Sequence, residues 1–120
     1  TPGEAAAAVR ALDLLDSQDG LALLQHLQSM TERFRDGLIR LGFETVEGVH
    51  PVVPLMTRDT AKTKALVAHL RSHGILATGL AFPVVPRGDE EIRFQISADH
   101  TAADIDHALD VLTGFRDIEA

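Results

Sequence analysis

The strongest constraint on the fold is a run of apolar residues at steps of three and four: Leu23, Leu27, Met30, Phe34, Leu38 and Leu41, ending at Gly42. That spacing lays one apolar stripe along a helix. Gly42 stands where a left-handed C-cap residue belongs, and Asp16 or Ser17 can cap the start. A helix of about 24 residues is roughly 36 Å long at 1.5 Å per residue. That is long for a chain of 120 residues, and such a helix usually braces something beyond its own core. Upstream, Ala5, Val9, Leu12 and Leu15 repeat the helical spacing after Pro2 and Gly3. Residues 1–42 therefore read as a two-helix lead-in.

After Gly42 the pattern changes. Phe43 to Val46 and Val52 to Met56 read as short strands. Pro54 has no N–H for a ladder, so the second strand should be an edge or bulged there. Asp59 or Thr60 caps a helix holding Leu66, Val67 and Leu70, closed by Gly74 with Ile75 as the apolar contact after the cap. Ile75 to Thr78 reads as a strand, Ala81 to Glu90 as a loop, and Ile92 to Ser97 as the cleanest strand. Thr101 then caps a last helix, with Asp104 in a capping-box position and Ile105, Ala108, Leu112 and Phe115 on one face. The expected fold is an α/β (α+β, two-layer) domain: three or four mostly antiparallel or mixed strands with helices on one face, beside the long helix. Residues 1–120 form one domain, with 43–120 as the α/β part.

Composition narrows the function. Apolar residues make up 45% of the chain, enough for a real core without disulfides or metal. With no cysteine there is no disulfide framework or thiolate metal site, which suits a reducing compartment. A net charge of -7 argues against nucleic acid and anionic membranes as partners. No apolar run approaches the roughly 18–20 residues of a membrane span, and no signal peptide is visible. The start at Thr1 without Met fits a processed product or an excised domain, and we expect the latter.

In Ile92-Arg93-Phe94-Gln95-Ile96 the side chains alternate faces. Ile92, Phe94 and Ile96 should face the helices, Arg93 and Gln95 the other side. A guanidinium held mid-strand suits bidentate recognition of a carboxylate or phosphate. The preceding loop, Phe82-Pro83-Val84-Val85-Pro86-Arg87-Gly88, is stiffened by two prolines and flanked by Gly79 and Gly88 as hinges, a lid over whatever Arg93 holds. Alternation alone favours a plainer reading: a solvated Arg paired with Glu90 or Glu91.

Other candidates are weaker. His69 and His73 stand four apart on a helix, but no third ligand is near, and a solvated helix face is the better account. Ser97, Asp99 and His100 read as a turn and cap, since catalytic triads are built by geometry, not adjacency. His50 before Pro51 is a turn residue, and Gly37 marks a close contact within the long helix. No metal site is expected.

The stretch from Phe82 to Thr101, Phe-Pro-Val-Val-Pro-Arg-Gly-Asp-Glu-Glu-Ile-Arg-Phe-Gln-Ile-Ser-Ala-Asp-His-Thr, resembles the C-terminal small domain of the α-oxoamine synthases. These are pyridoxal 5'-phosphate (PLP) enzymes of aminotransferase class II that condense an amino acid with an acyl thioester. The likeness is greatest to the glycine C-acetyltransferases, or 2-amino-3-ketobutyrate CoA ligases, which read Tyr-Pro-Val-Val-Pro-Lys-Gly, then Arg-Ile-Arg, then Gln-x-Ser-Ala-x-His-Thr. Gly48 to Leu55, His73 to Gly79 and the helix end Arg40 to Phe43 extend it over essentially the whole chain.

The resemblance implies that Arg93, matching the second Arg of Arg-x-Arg, binds the substrate carboxylate, and that Phe82 to Gly88 is the active-site lid. Three positions depart from the pattern. Glu91 replaces the first Arg, Phe82 replaces Tyr, and Val84 stands where 5-aminolevulinate synthases carry Thr. Val84 has no polar group for a succinyl carboxylate, which points to an acetyl or other apolar acyl donor and leaves an 8-amino-7-oxononanoate synthase or a carrier-protein-dependent synthase open. The family's cofactor lysine lies in an upstream large domain. Only Lys62 and Lys64 occur here, without the family's surroundings. This chain is therefore expected to hold no catalytic or PLP-binding residue and to be inactive alone. The resemblance also implies a cytoplasmic homodimer acting on an amino acid and an acyl-CoA. A stand-alone small-molecule-binding or dimerisation module is the alternative.

Overall fold

The computed structural model describes residues 18–48 and 50–119. The helix expected before Leu15, and the N-cap at Asp16 or Ser17, lie outside them. Helix α1 spans Gln18–Arg40. Gly42, at φ 87°, ends it, and the Phe43 N–H returns to the Leu38 carbonyl at 2.9 Å. Met30, Phe34 and Leu38 are buried, whereas Leu21, Leu23 and Leu24 are exposed. The apolar stripe thus covers the core only from its middle onward, and Leu23 does not belong to it.

Strands β1 (Glu44–Thr45), β2 (Val52–Met56), β3 (Thr78–Leu80) and β4 (Glu91–Gln95) form one sheet in the order β1-β2-β4-β3, every pairing antiparallel. Helix α2 (Thr60–Ser72) joins β2 to β3, and α3 (Ala102–Glu119) closes the chain. Asp59 caps α2 by accepting from the Lys62 N–H at 2.7 Å. Thr101 and Asp104 form a reciprocal capping box at the start of α3, at 2.9 and 3.2 Å.

Two expectations change. β2 is interior in the sheet, not an edge, and Pro54 pairs with Arg93. β1 is only two residues long, so it leaves the Pro54 position without a backbone partner on that side. The Thr45 hydroxyl instead donates to the Pro54 carbonyl at 2.5 Å. Pro54 is tolerated because its missing N–H faces this short neighbour. The third strand begins at Thr78, not Ile75, because Ile75 belongs to the α2 cap: its N–H bonds the Leu70 carbonyl at 2.9 Å.

Val53, Leu55, Ile92 and Phe94 point into the core, where they meet Phe34, Leu38, Leu66, Leu70 and Leu112. The Phe34 and Phe94 rings lie 4.8 Å apart at 58°, a tilted arrangement that aromatic quadrupoles favour. Gly37 lets α1 approach α3, since a Cβ there would lie 2.4 Å from Leu109 Cδ1. Beside it Arg33 grips Asp106 with a two-point fork at 2.9 and 2.8 Å. Arg35, buried, donates to the carbonyls of Val46 and His50, each at 3.1 Å, and of Gly48, and so holds the β1–β2 connection. Among the described residues α1 and α2 pack on one face of the sheet, α3 packs against both of them, and no described helix covers the opposite face.

Candidate functional site

Period-two alternation puts every second residue of β4 on the open face. Ile92 and Phe94 are buried, whereas the Arg93 side chain is 52% exposed. Its strand neighbours are Pro54 on β2 and Thr78 on β3. Gln95 lies opposite Val52, and Glu91 lies between Met56 and Leu80. Pro54, Thr78 and Val52 thus stand near Arg93 on the open face, while Glu91 and, beyond Met56, Glu44 share one row of it. Arg93 Nη2 donates to Glu91 Oε1 at 3.2 Å, and the Glu91 side chain is only 14% exposed. The pairing with Glu91 considered above is therefore present, on the same face that presents the cation.

The loop joining β3 to β4 ends at Glu90, three residues before Arg93, so its base stands roughly 10 Å along the strand from Arg93. It is internally braced. The N–H groups of Val84 and Val85 return to the Ala81 carbonyl at 2.9 and 3.2 Å, and that of Asp89 to the Pro86 carbonyl at 3.0 Å. The Phe82–Pro83 peptide is cis. The Arg87 guanidinium stands 4.6 Å over the Phe82 ring, a cation–π contact. Phe82 and Val84 are 53% and 75% exposed, so the loop offers apolar surface outward.

The glycines flanking the loop are not free joints. Gly79 pairs with Ile92, and a Cβ there would lie 2.9 Å from Val67 Cγ2. Gly88, at φ 94°, is held through its N–H by Glu90 Oε1 at 2.7 Å and through its carbonyl by Arg58 Nη1 at 3.2 Å. Glu90 was legible only in part. Alternation places it inward with Ile92, yet the acidic run Asp89-Glu90-Glu91 reads as solvated charge. The Thr60 hydroxyl, aided by the Glu90 and Gly88 main-chain N–H groups, holds its carboxyl below the usual carboxylate range, against burial.

A sequence profile of aminotransferase class I and II matches residues 1–112. The chain belongs to that family. It is 35% identical to an 8-amino-7-oxononanoate synthase of Symbiobacterium thermophilum over 90% of this chain and 27% of that protein. It is also 35% identical to the mitochondrial 2-amino-3-ketobutyrate coenzyme A ligase of Mus musculus, over 91% of this chain and 26% of that protein. Among solved structures, an SPT with a PLP internal aldimine superposes with TM-score 0.72 at 25% identity, over 75% of this chain and 23% of that one. An 8-amino-7-oxononanoate synthase from Francisella tularensis superposes with TM-score 0.76 at 19% identity over 95% and 32%, a likeness of fold. These relatives are α-oxoamine synthases, and the chain spans less than a third of their length.

The remaining candidates of this family member fall away from Arg93. Lys62 and Lys64 lie in the first turns of α2, on the helix side of the sheet. His69 is not on a solvated face: its Nε2 meets the Val111 carbonyl at 3.1 Å, and its ring packs 5.5 Å from Phe115. No group of three or more metal-ligating side chains occurs among the described residues. His100 Nδ1 accepts from the Ser97 N–H at 3.0 Å, so these two form the turn before α3. His50 Nδ1 likewise accepts from the Val52 N–H at 3.1 Å. Among the described residues no helix is long and apolar enough to cross a membrane.

Proposed function

We propose that this chain is the carboxylate-binding C-terminal part of a PLP-dependent acyltransferase that joins a glycine-like amino acid to an acyl-CoA thioester, giving an α-amino ketone. The observation that carries the reading is Arg93, a half-exposed guanidinium mid-strand on a sheet face that no helix among the described residues covers. A strand holds the fork in one orientation, and two-point binding of a carboxylate then fixes the Cα beside it. The loop Phe82–Gly88 walls the same end of the face and limits water there. Its outward Val84 suits an apolar acyl group better than a charged one.

In this reading the described residues do not hold the PLP, and the placement of Lys62 and Lys64 in the first turns of α2 supports it. The cofactor and its lysine belong, in this reading, to a large domain upstream. The relatives' lengths support that division. An 8-amino-7-oxononanoate synthase-like activity is the second reading, favoured by the relatives that carry that name.

The test is Arg93→Ala in the full-length protein. A charge-assisted pair is worth about 1.5–3 kcal/mol, so the amino-acid KM should rise roughly ten- to a hundredfold. Arg93→Lys should also be impaired, because a point charge cannot replace the fork. Wild-type kinetics in both variants would remove Arg93 from the site.

A further inference from the structure

Thr78 opens β3 and is the cross-strand neighbour of Arg93. The next residue fixes its direction. A Cβ on Gly79 would lie 2.9 Å from Val67 Cγ2 and 3.1 Å from Thr63 Cγ2, so position 79 points at α2. Alternation then turns Thr78 to the uncovered face, where it is exposed. Side chains directly opposed on one face of a sheet have Cβ atoms roughly 4.5–5.5 Å apart. Thr78 also differs from the other threonines. Every other threonine among the described residues uses its hydroxyl within the chain, in a helix turn or cap, on a second threonine, on Glu90 or on the Pro54 carbonyl. The Thr78 hydroxyl has no partner among the described residues.

We propose that Thr78 is a specificity-determining residue: its hydroxyl reads a hydrogen-bonding side chain on the amino acid that Arg93 holds by the carboxylate, so that the substrate is a small amino acid bearing a hydroxyl. The proposal rests on the function proposed above and narrows it. Height above the sheet assigns Thr78 to the side chain rather than to the carboxylate. A threonine hydroxyl stands on its own Cβ, close to the strand. The Arg93 guanidinium stands at the end of three methylenes and leans along β4 to Glu91, 3.2 Å from its Nη2. A carboxylate on that fork is held above the level of the Thr78 hydroxyl, and the substituent on the substrate's α-carbon is what fills the space between fork and strand. A threonine hydroxyl both donates and accepts, so it pairs with another hydroxyl. Glycine offers it nothing, and an acidic side chain would meet Glu91 in the neighbouring row, with Glu44 beyond Met56. A site with a polar group placed for a hydroxyl rejects the analogue that lacks it, because the site's own group is then left unpaired.

The test is the binding of L-serine and L-alanine to the full-length protein, read by titration calorimetry. The two share the carboxylate and the β-carbon and differ by one hydroxyl. Thr78→Val removes the hydroxyl but keeps the β-branched shape that suits a strand, so the fold is retained. Thr78→Ser keeps the hydroxyl and drops the methyl. The wild type should bind serine more tightly than alanine. Thr78→Val should weaken serine about three- to tenfold with alanine within about twofold, and Thr78→Ser should keep the wild-type preference. A wild type that does not prefer serine, a preference unmoved by Thr78→Val, or an equal loss of both amino acids overturns the role. Arg93→Ala measured alongside separates the two readings, since it should weaken both amino acids together. Both unchanged there sinks the proposed function, whereas both weakened there with the preference unmoved in Thr78→Val sinks only this inference.

Discussion

Arg93 does not wait unpaired for a substrate: Glu91, two residues back on the same face, holds its Nη2 at 3.2 Å. Both two-point edges of a guanidinium pass through one terminal nitrogen of this kind, so Glu91 occupies part of the fork that a carboxylate would use. The Arg93 end of the pair is half exposed, and such pairs contribute at most about 1 kcal/mol. An incoming carboxylate can therefore displace Glu91 at modest cost. Glu91→Gln removes both the competitor and a negative charge beside the site. We expect the amino-acid KM to fall about two- to fivefold in steady-state kinetics. A raised KM instead would mean that Glu91 aims the guanidinium rather than competing for it.

At the scale of elements, α1 and α3 meet where Gly37 has no side chain. A methyl there would press on Leu109 Cδ1 and Cδ2 at 2.4 and 2.7 Å. Gly37→Ala should cost about 1–3 kcal/mol in urea denaturation, because overpacking outweighs the gain in helix propensity. Adding Leu109→Ala should couple non-additively with it, and additive effects would argue against the contact. The same element shows what the sequence made legible. Gly37 as a close contact, Gly42 as a cap, β2 from Val52 to Met56 and the alternation along β4 were all readable, because each rests on local spacing. The start of β3 was not, since Ile75 satisfies a helix cap and a strand pattern equally well. Arg35 was missed, and Glu90 was legible only in part, for a shared reason. A charged residue reads as solvated until the carbonyls of Val46, Gly48 and His50, or the hydroxyl of Thr60, are brought to it from distant segments. Arg93's position was legible, but its partner was open between Glu90 and Glu91. Strand alternation decides for Glu91, since Glu90 faces the core.

At the scale of the molecule, four carboxyls among the described residues sit below their ordinary values: Glu44 through Arg58, Glu90 through Thr60, Asp104 through the Thr101 N–H, and Asp106 through Arg33. A folded value below the unfolded one adds stability above the ordinary value, 4.5 for Glu and 3.8 for Asp, and loses it as pH falls through the folded value. Tm should hold level above about pH 5 and fall as the medium is acidified towards about pH 3. Salt should blunt the part due to the exposed Arg pairs. A Tm flat across that range would show that these contacts do not stabilise the fold. The described residues leave one sheet face uncovered with Arg93 at its centre, and the account turns on that face recognising a carboxylate. The most direct measurement compares binding of glycine with that of methylamine, its counterpart without the carboxylate, in wild-type and Arg93→Ala full-length protein. The account predicts that the wild type prefers glycine and that the substitution removes roughly ten- to a hundredfold of that preference. A preference that survives Arg93→Ala undiminished would contradict it.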